Sequence, residues 1–261
     1  MVEPERQRVT VDGLAVDVVS GGSGPSVVVL HHDIGNPGWL PFYDRLAERY
    51  RVVVPSHPGF DTSERPAWLR SVRELASLYQ WLFHEQGLDG ARLVGLGFGA
   101  WIAAEVATTA HGRLPAMALL NPMGLQPREG EICDQFLVNA EEYVSSGFVD
   151  IGAYHATFGE PPSEDQLVTW EVNREMTTRI AWKPYMFDRS LEHLLHGVDT
   201  PTLVVAGTGD KLVPPVCAEQ YAELVPGASL RRVEGAGHFV EIERPDELAG
   251  LVSGFFAEQE G

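Results

Sequence analysis

The chain is poor in positive charge. It carries 19 Lys and Arg against 37 Asp and Glu, a formal net charge of −18. A nucleic-acid footprint needs Lys and Arg clustered on one face, and no basic run is present, so no nucleic-acid partner is expected. The only lysines are Lys183 and Lys211. Neither sits in a phosphate-binding Gly-Lys-Ser/Thr loop or in a context that suggests a Schiff base, which removes P-loop and pyridoxal chemistry. The two cysteines, Cys133 and Cys217, are isolated and lack metal-ligand spacing. They read as free thiols in a reducing compartment rather than a disulfide framework. No run of about 18 apolar residues occurs, and the polar start Met1-Val-Glu-Pro-Glu-Arg6 is followed by no apolar signal segment. No membrane association is expected, and a cytoplasmic location is the default.

What is present is a set of short, continuously apolar runs: Val27–Leu30, Val52–Pro55, Leu93–Leu96, Ala116–Leu120 and Leu203–Ala206. Continuous apolarity suits strands covered on both faces, as in a parallel sheet. Helical patterns lie between them, at Trp39–Tyr50, Val72–Gln86, Phe98–Ala110, Ala218–Leu224 and Pro245–Ala257. Strand alternating with helix predicts an α/β fold. Val9–Ser20 alternates apolar and polar residues around Asp12-Gly13, predicting an antiparallel hairpin ahead of the parallel strands. From Met123 to about Gly197 the strand pattern stops. Amphipathic runs at Cys133–Ser145 and Glu164–Trp182 predict a helical insertion there. The expected organisation is a core of residues 1–122 and 198–261 with a helical cap, 123–197, over the carboxyl ends of the strands.

Four segments carry the chemistry: His31-His-Asp-Ile-Gly35, Leu93-Val-Gly-Leu-Gly-Phe-Gly99, Val205-Ala-Gly-Thr-Gly-Asp210 and Gly235-Ala-Gly-His238. In this order they resemble the α/β-hydrolase superfamily from end to end. The resemblance implies a mostly parallel eight-stranded sheet with helices on both faces. It also implies that Asp210 is the triad acid and His238 the triad histidine. A carboxylate at a strand end can hold an imidazole in one tautomer and leave its other nitrogen free as a base.

The resemblance also exposes a departure. Gly97 stands where the family carries Ser, Cys or Asp in a strand-to-helix elbow, and glycine offers nothing to attack a carbonyl. His32 replaces the usual glycine at the end of the third strand, and Asp33 follows it. Together with the N–H of Phe98, these residues mark the expected oxyanion-hole region. A carboxylate there would oppose developing negative charge unless protonated or turned away. Ser56 and Asp61 depart from similar sequences as well.

The same residues admit other assignments. His31, His32, Asp33, His57 and His238 include suitable metal ligands, but His31 and His32 at a strand end point to opposite faces, so no metal is expected. Gly95-Leu-Gly-Phe-Gly-Ala100 satisfies the dinucleotide pattern Gly-x-Gly-x-x-Ala. Yet it lies some 90 residues into the chain, no acid ends the next strand, and Asp210 and His238 would be unexplained. No cofactor is therefore expected. Gly99 and Ala100 have a simpler use, letting the helix approach the sheet closely. His31, Trp101, Arg174 and Trp182 are candidates for pocket lining. Arg174 and Arg179 are alternatively paired with Glu171 and Glu175.

Three functional readings follow for a small-molecule partner. In the first, His238 oriented by Asp210 is a general base in a non-covalent reaction on an activated ester, lactone or 1,3-dicarbonyl, with Gly97 leaving room for a water. The second is a catalytically silent small-molecule binding protein. The third is an engineered Ser-to-Gly variant of an ordinary hydrolase.

Overall fold

Each apolar run becomes a strand of one sheet in the computed structural model, which describes residues 2–260. The strands are β1 (Glu5–Val11), β2 (Leu14–Gly21), β3 (Ser26–Leu30), β4 (Arg51–Pro55), β5 (Arg92–Leu96), β6 (Met117–Leu120), β7 (Thr202–Gly207) and β8 (Ser229–Val233). Their order across the sheet is β1-β2-β4-β3-β5-β6-β7-β8. Pairing is antiparallel for β1 with β2 and β2 with β4, and parallel for the rest. The hairpin turn is Asp12-Gly13, both at positive φ, the backbone that a two-residue turn needs to match the strands' twist.

The strands are apolar without a break because successive side chains feed two separate cores. Val28, Leu30, Val53, Leu93, Leu119 and Val204 face one, while Val27, Val29, Val52, Val94, Leu120 and Val205 face the other. The first core is closed by α2 (Val72–Glu85), α3 (Phe98–Ala110) and α8 (Val216–Leu224), the second by α1 (Pro41–Leu46) and α10 (Pro245–Glu258). Helices thus cover both faces, as a parallel sheet requires. Ser71 starts α2 with a capping box, accepting from the Glu74 N–H while the Glu74 carboxylate accepts from the Ser71 N–H.

Between β6 and β7 the chain adds no strand to the sheet. It forms α4 (Ala140–Ser146), α5 (Ile151–Phe158), α6 (Glu164–Ala181) and α7 (Leu191–Leu194), the last running into a short 3₁₀ turn at Leu195–Gly197. The short α9 (Val240–Glu243) follows β8. Among the described residues, no helix is long and apolar enough to cross a membrane.

Some expected boundaries are corrected. The helix expected over Trp39–Tyr50 spans only Pro41–Leu46, because Pro41 sets its first turn and the chain tightens after Leu46. Residues 133–139 are not helical. Asp134 Oδ1 accepts from the Phe136 N–H at 2.9 Å, and Asn139 Oδ1 caps α4 by accepting from the Glu142 N–H at 2.8 Å, so local side-chain bonds displace the helix there. The apolar-run signal does not reveal β8, an edge strand whose Arg231 and Arg232 are exposed. Nor does it reveal α5, where Asp150 supplies the N-cap. Both cysteines are free thiols.

Candidate active site

Gly97 forms the elbow between β5 and α3. Its φ of 52° with ψ of −104° is backbone that an L side chain rarely adopts, and its N–H donates to the Leu120 carbonyl at 2.8 Å. The helix can follow so abruptly because a Cβ on Gly99 would lie 2.0 Å from the Leu30 carbonyl oxygen and one on Gly95 2.3 Å from Ala100 Cα. These glycines serve helix-to-sheet approach. Phe98 is the first residue of α3, so its N–H is one of the helix's four donors without an intrahelical acceptor. Its ring packs against Phe60 and Trp101.

The loops after β7 and β8 bring in the acid and the base. Asp210 Oδ1 accepts from the N–H groups of Leu212 and Val213 at 2.8 and 2.9 Å, which aims Oδ2 at His238 Nδ1, 2.7 Å away. The backbone N–H of His238 donates to the Gly147 carbonyl at 2.7 Å. His238 is fully buried, and its Nε2 has no protein partner. Burial is the largest single influence and lowers its pKa. The Asp210 charge and hydrogen bond, with the Asp33 and Glu241 carboxylates, outweigh it and hold the net value above 6.5.

The expectation of an open space at Gly97 is corrected. A Cβ there would lie 2.5 Å from His32 Nδ1 and 2.6 Å from His238 Nε2, so two imidazole nitrogens already converge on that point. The His32 and His238 rings have centroids 4.9 Å apart. His32 Nε2 lies 3.2 Å from Glu241 Oε1, with both side chains buried. That is ion-pair distance, although the N–H direction falls short of a hydrogen bond. Neither Asp33 Oδ1 nor Glu241 Oε2 has a hydrogen-bond partner in this cluster. Asp33 is buried, and Tyr143 from α4 donates to its Oδ2 at 3.0 Å. Burial raises the Asp33 pKa, outweighing the pull of His238, His32 and the Tyr143 hydrogen bond, and so favours the neutral carboxylic acid.

Several residues that sequence reasoning did not single out fix this geometry. Asn121 donates through Nδ2 to the Gly237 and His238 carbonyls, both at 2.9 Å, and accepts the Gly207 N–H at 2.7 Å. It thereby pins the histidine loop to the end of β7. Glu243 accepts from the N–H groups of Val149 and Asp150 at 2.8 and 2.6 Å and from that of Gly237, joining the loop to the helical insertion. Asn173 of α6 donates to the Ile34 carbonyl at 2.9 Å and to Asp61 at 2.8 Å, anchoring the loop after β3. Ser56 and Asp61 share in this anchor, with Ser56 Oγ donating to Asp61 Oδ2. A lone Asn or Glu carries no local motif, so only the fold brings these side chains together.

The four candidate pocket residues are corrected. His31 lies on the opposite face from His32, stacked on His57 at 3.6 Å. Its Nε2 accepts the His57 N–H at 2.9 Å, and its Nδ1 contacts the His32 carbonyl at 2.6 Å. Trp101 is a core residue whose Nε1 donates to Glu105 at 3.3 Å. The Arg174 guanidinium lies 4.9 Å from the Phe136 ring, bonds the Val138 carbonyl at 2.8 Å and approaches Glu171 at 3.5 Å. Trp182 is 51% exposed, with its ring against Phe136. Arg179 donates to the carbonyls of Ala67 and Leu69, and Glu175 pairs with Arg65 instead. Among the described residues, no group of three or more His, Cys, Asp or Glu side chains is arranged to hold a metal ion. A cavity of about 490 Å³, lined by Arg6, Arg8, Asp17, Asn36, Asp61 and Trp170 among others, does not include His32, Gly97, Asp210 or His238.

Comparison with known proteins agrees with this architecture. The chain is 26% identical over 248 residues to a protein of Azorhizobium caulinodans named "Putative carbamate hydrolase RutD", covering 91% of this chain and 93% of that one. It is 22% identical to a 2-hydroxymuconate semialdehyde hydrolase of Pseudomonas sp. (strain CF600), covering 94% and 92%. Its fold superposes on the crystal structure of a bacterial membrane phospholipase A with a TM-score of 0.84 and 23% identity, covering 99% of this chain and 87% of the other. Residues 27–251 match the alpha/beta hydrolase family, and with the eight-stranded sheet, the elbow and the two loops that end in Asp210 and His238, the chain belongs to that family.

Proposed function

We propose that this protein is an enzyme acting on a small activated carbonyl compound, an ester, a lactone or the C–C bond of a 1,3-dicarbonyl, by general-base catalysis without a covalent intermediate. Gly97 occupies the nucleophile position, and Asp210 and His238 supply the base. The observation that carries this reading is His238 Nε2: buried, unpartnered, and oriented from behind by Asp210 toward the point above Gly97. An unpartnered buried nitrogen costs about 1–3 kcal/mol. A fold that retained only a silent receptor would gain by filling it.

Water held between Nε2 and the substrate gives its proton to Nε2 as its oxygen attacks the carbonyl carbon. Asp210 stabilises the imidazolium that forms. The Phe98 N–H is read as a donor to the developing oxyanion, and the raised pKa of Asp33 weakens the opposition its carboxyl would offer there. The helical insertion, residues 123–197, is read as a cap that excludes water, since Tyr143 reaches Asp33 and Gly147 holds His238. The named activities of the two hydrolase relatives, on a carbamate and on a semialdehyde, support a small carbonyl substrate.

Turnover of a panel of activated esters, lactones and β-diketones is expected to fall about 10²–10⁴-fold in His238→Ala. Turnover that survives the substitution contradicts the reading. Binding without turnover in the wild-type protein would favour a receptor.

A further inference from the structure

The cavity of about 490 Å³ is walled by β1, β2, the loop Ile34–Gly38 after β3, and helices α5 and α6. It touches the loop that carries His32 and Asp33 without including either residue. Its volume lies in the range that encloses a small organic molecule. Val18, Ile34 and Val54 give it apolar surface, joined by Phe158 and Trp170, whose rings meet edge to face with centroids 5.2 Å apart.

The polar groups in the lining are unequally engaged. Asp17 accepts from Arg8 Nε at 2.6 Å and Nη2 at 2.9 Å, and from the Thr62 hydroxyl. Asp61 accepts from Asn173 at 2.8 Å, from the Asn36 N–H at 3.1 Å and from the Ser56 hydroxyl. Both carboxylates are therefore occupied by the protein itself. Arg6 differs because of strand register: β1 sets Arg8 opposite Asp17 but Arg6 opposite Val19. Among the described residues, no acceptor bonds the Arg6 guanidinium and no carboxylate pairs with it. Its Nη2 lies 3.7 Å from where a Cβ on Gly38 would sit, which places the charge beside the Asn36–Gly38 turn. Asn36 Oδ1 accepts from the Gly38 N–H at 3.1 Å, leaving the Nδ2 donor free.

We propose that this cavity is a second binding site, for a small organic carboxylate with an apolar body. The lining offers free donors while its two carboxylates are taken, so a matching ligand supplies acceptors. Its carboxylate pairs with Arg6, whose planar fork of N–H groups fits two oxygens, with Asn36 Nδ2 alongside. Its body packs on Phe158 and Trp170. The net charge of −18 opposes such an anion only weakly, because salt screens charges more than about 8–10 Å apart and the nearby carboxylates already hold three donors each. The site stands apart from the reading of His238 as a base, since neither His238 nor Asp210 lines the cavity.

Isothermal titration calorimetry with 4-phenylbutyrate tests the proposal, with 4-phenylbutyramide and 4-phenylbutylamine as the neutral and cationic controls. The carboxylate is expected to bind at one site per chain, with the amide about tenfold or more weaker and the amine weaker still. Arg6→Gln is expected to weaken the carboxylate about tenfold or more and to leave the amide unchanged. Arg6 is an exposed strand residue, so this variant is expected to fold. His238→Ala is expected to bind 4-phenylbutyrate as wild type does, whatever it does to ester turnover.

Four results overturn the proposal: no saturable binding of 4-phenylbutyrate, binding unmoved by Arg6→Gln, preference for the amine, or loss of binding in His238→Ala, which would move the ligand to the catalytic centre. Thr169→Trp checks the location independently by filling the cavity from α6. With a native circular dichroism spectrum, it is expected to abolish binding of 4-phenylbutyrate, and binding retained in it is equally fatal.

Discussion

At the end of β3 the chain places two consecutive histidines on opposite faces of one strand, and both are buried, His31 at 1% and His32 at 4% exposure. On the His31 side every ring nitrogen is engaged. His31 accepts from the His57 N–H and contacts the His32 carbonyl, while His57 contacts the His31 carbonyl at 2.9 Å and the Tyr79 hydroxyl. Burial pushes both pKa values down, so these rings stay neutral and knit the loop after β3 to the one after β4. On the His32 side, nitrogens of His32 and His238 and oxygens of Asp33 and Glu241 lack partners. Burial therefore does not distinguish the two regions. Unfilled hydrogen-bonding capacity does, and it lies on the side where the proposed chemistry is placed.

The sharpest way to break this contrast is to restore the missing nucleophile. Gly97→Ser alone is expected to give no labelling by a serine-directed phosphonate, because its Cβ collides with the His32 and His238 rings and its backbone is strained. Adding His32→Gly clears one ring and is expected to switch labelling on. Labelling of the single variant, read by intact-protein mass, would mean that the rings yield readily and that the space at Gly97 is open.

A smaller effect is expected from the filled side. Tyr79→Phe removes the partner of His57 and is expected to cost about 1–3 kcal/mol in urea unfolding, with kcat unchanged on an ester whose turnover depends on His238. A loss of kcat with native stability would erase the distinction between a structural and a chemical region.

Proton linkage gives the smallest effect, with opposite signs for the two regions. His31 and His57 have folded pKa values below 6.5, so below that pH the unfolded chain binds more protons and stability falls as the pH drops toward the folded values. His238 has a raised folded pKa. Its contribution is full below 6.5 and is lost as pH rises through the folded value. His57→Gln is expected to flatten the acid side of the stability profile, and His238→Gln the neutral-to-alkaline side. Unfolding free energies across pH 5–8, the range in which histidine ordinarily titrates, check both.

Much of this arrangement is legible in the sequence, for local reasons. The strands β3 to β7 announce themselves because two-sided burial leaves no polar position. The elbow, Asp210 and His238 are legible through the resemblance of the short glycine-containing segments that carry them to those of the α/β-hydrolase family. Opposite facing of His31 and His32 follows from strand geometry alone. Glu241 was not legible as a site residue: in Val240-Glu-Ile-Glu243 it reads as an acid in the first turn of a helix. Asn121 and Tyr143 act across 117 and 110 residues of chain, a pairing no local pattern encodes. The crowding at Gly97 likewise depends on where His32 and His238 meet in space. In the absence of a side chain at Gly97, the sequence suggested room, and the fold fills it with two rings.

The central claim is that His238 drives bond cleavage as a general base without a covalent enzyme intermediate. Pre-steady-state turnover of an activated p-nitrophenyl ester, with intact-protein mass spectrometry on quenched samples, tests it most directly. The account predicts linear product release with no burst, unmodified protein mass throughout, and loss of turnover in His238→Ala. A burst matched by an acylated protein, on a histidine or on any other side chain, would contradict it.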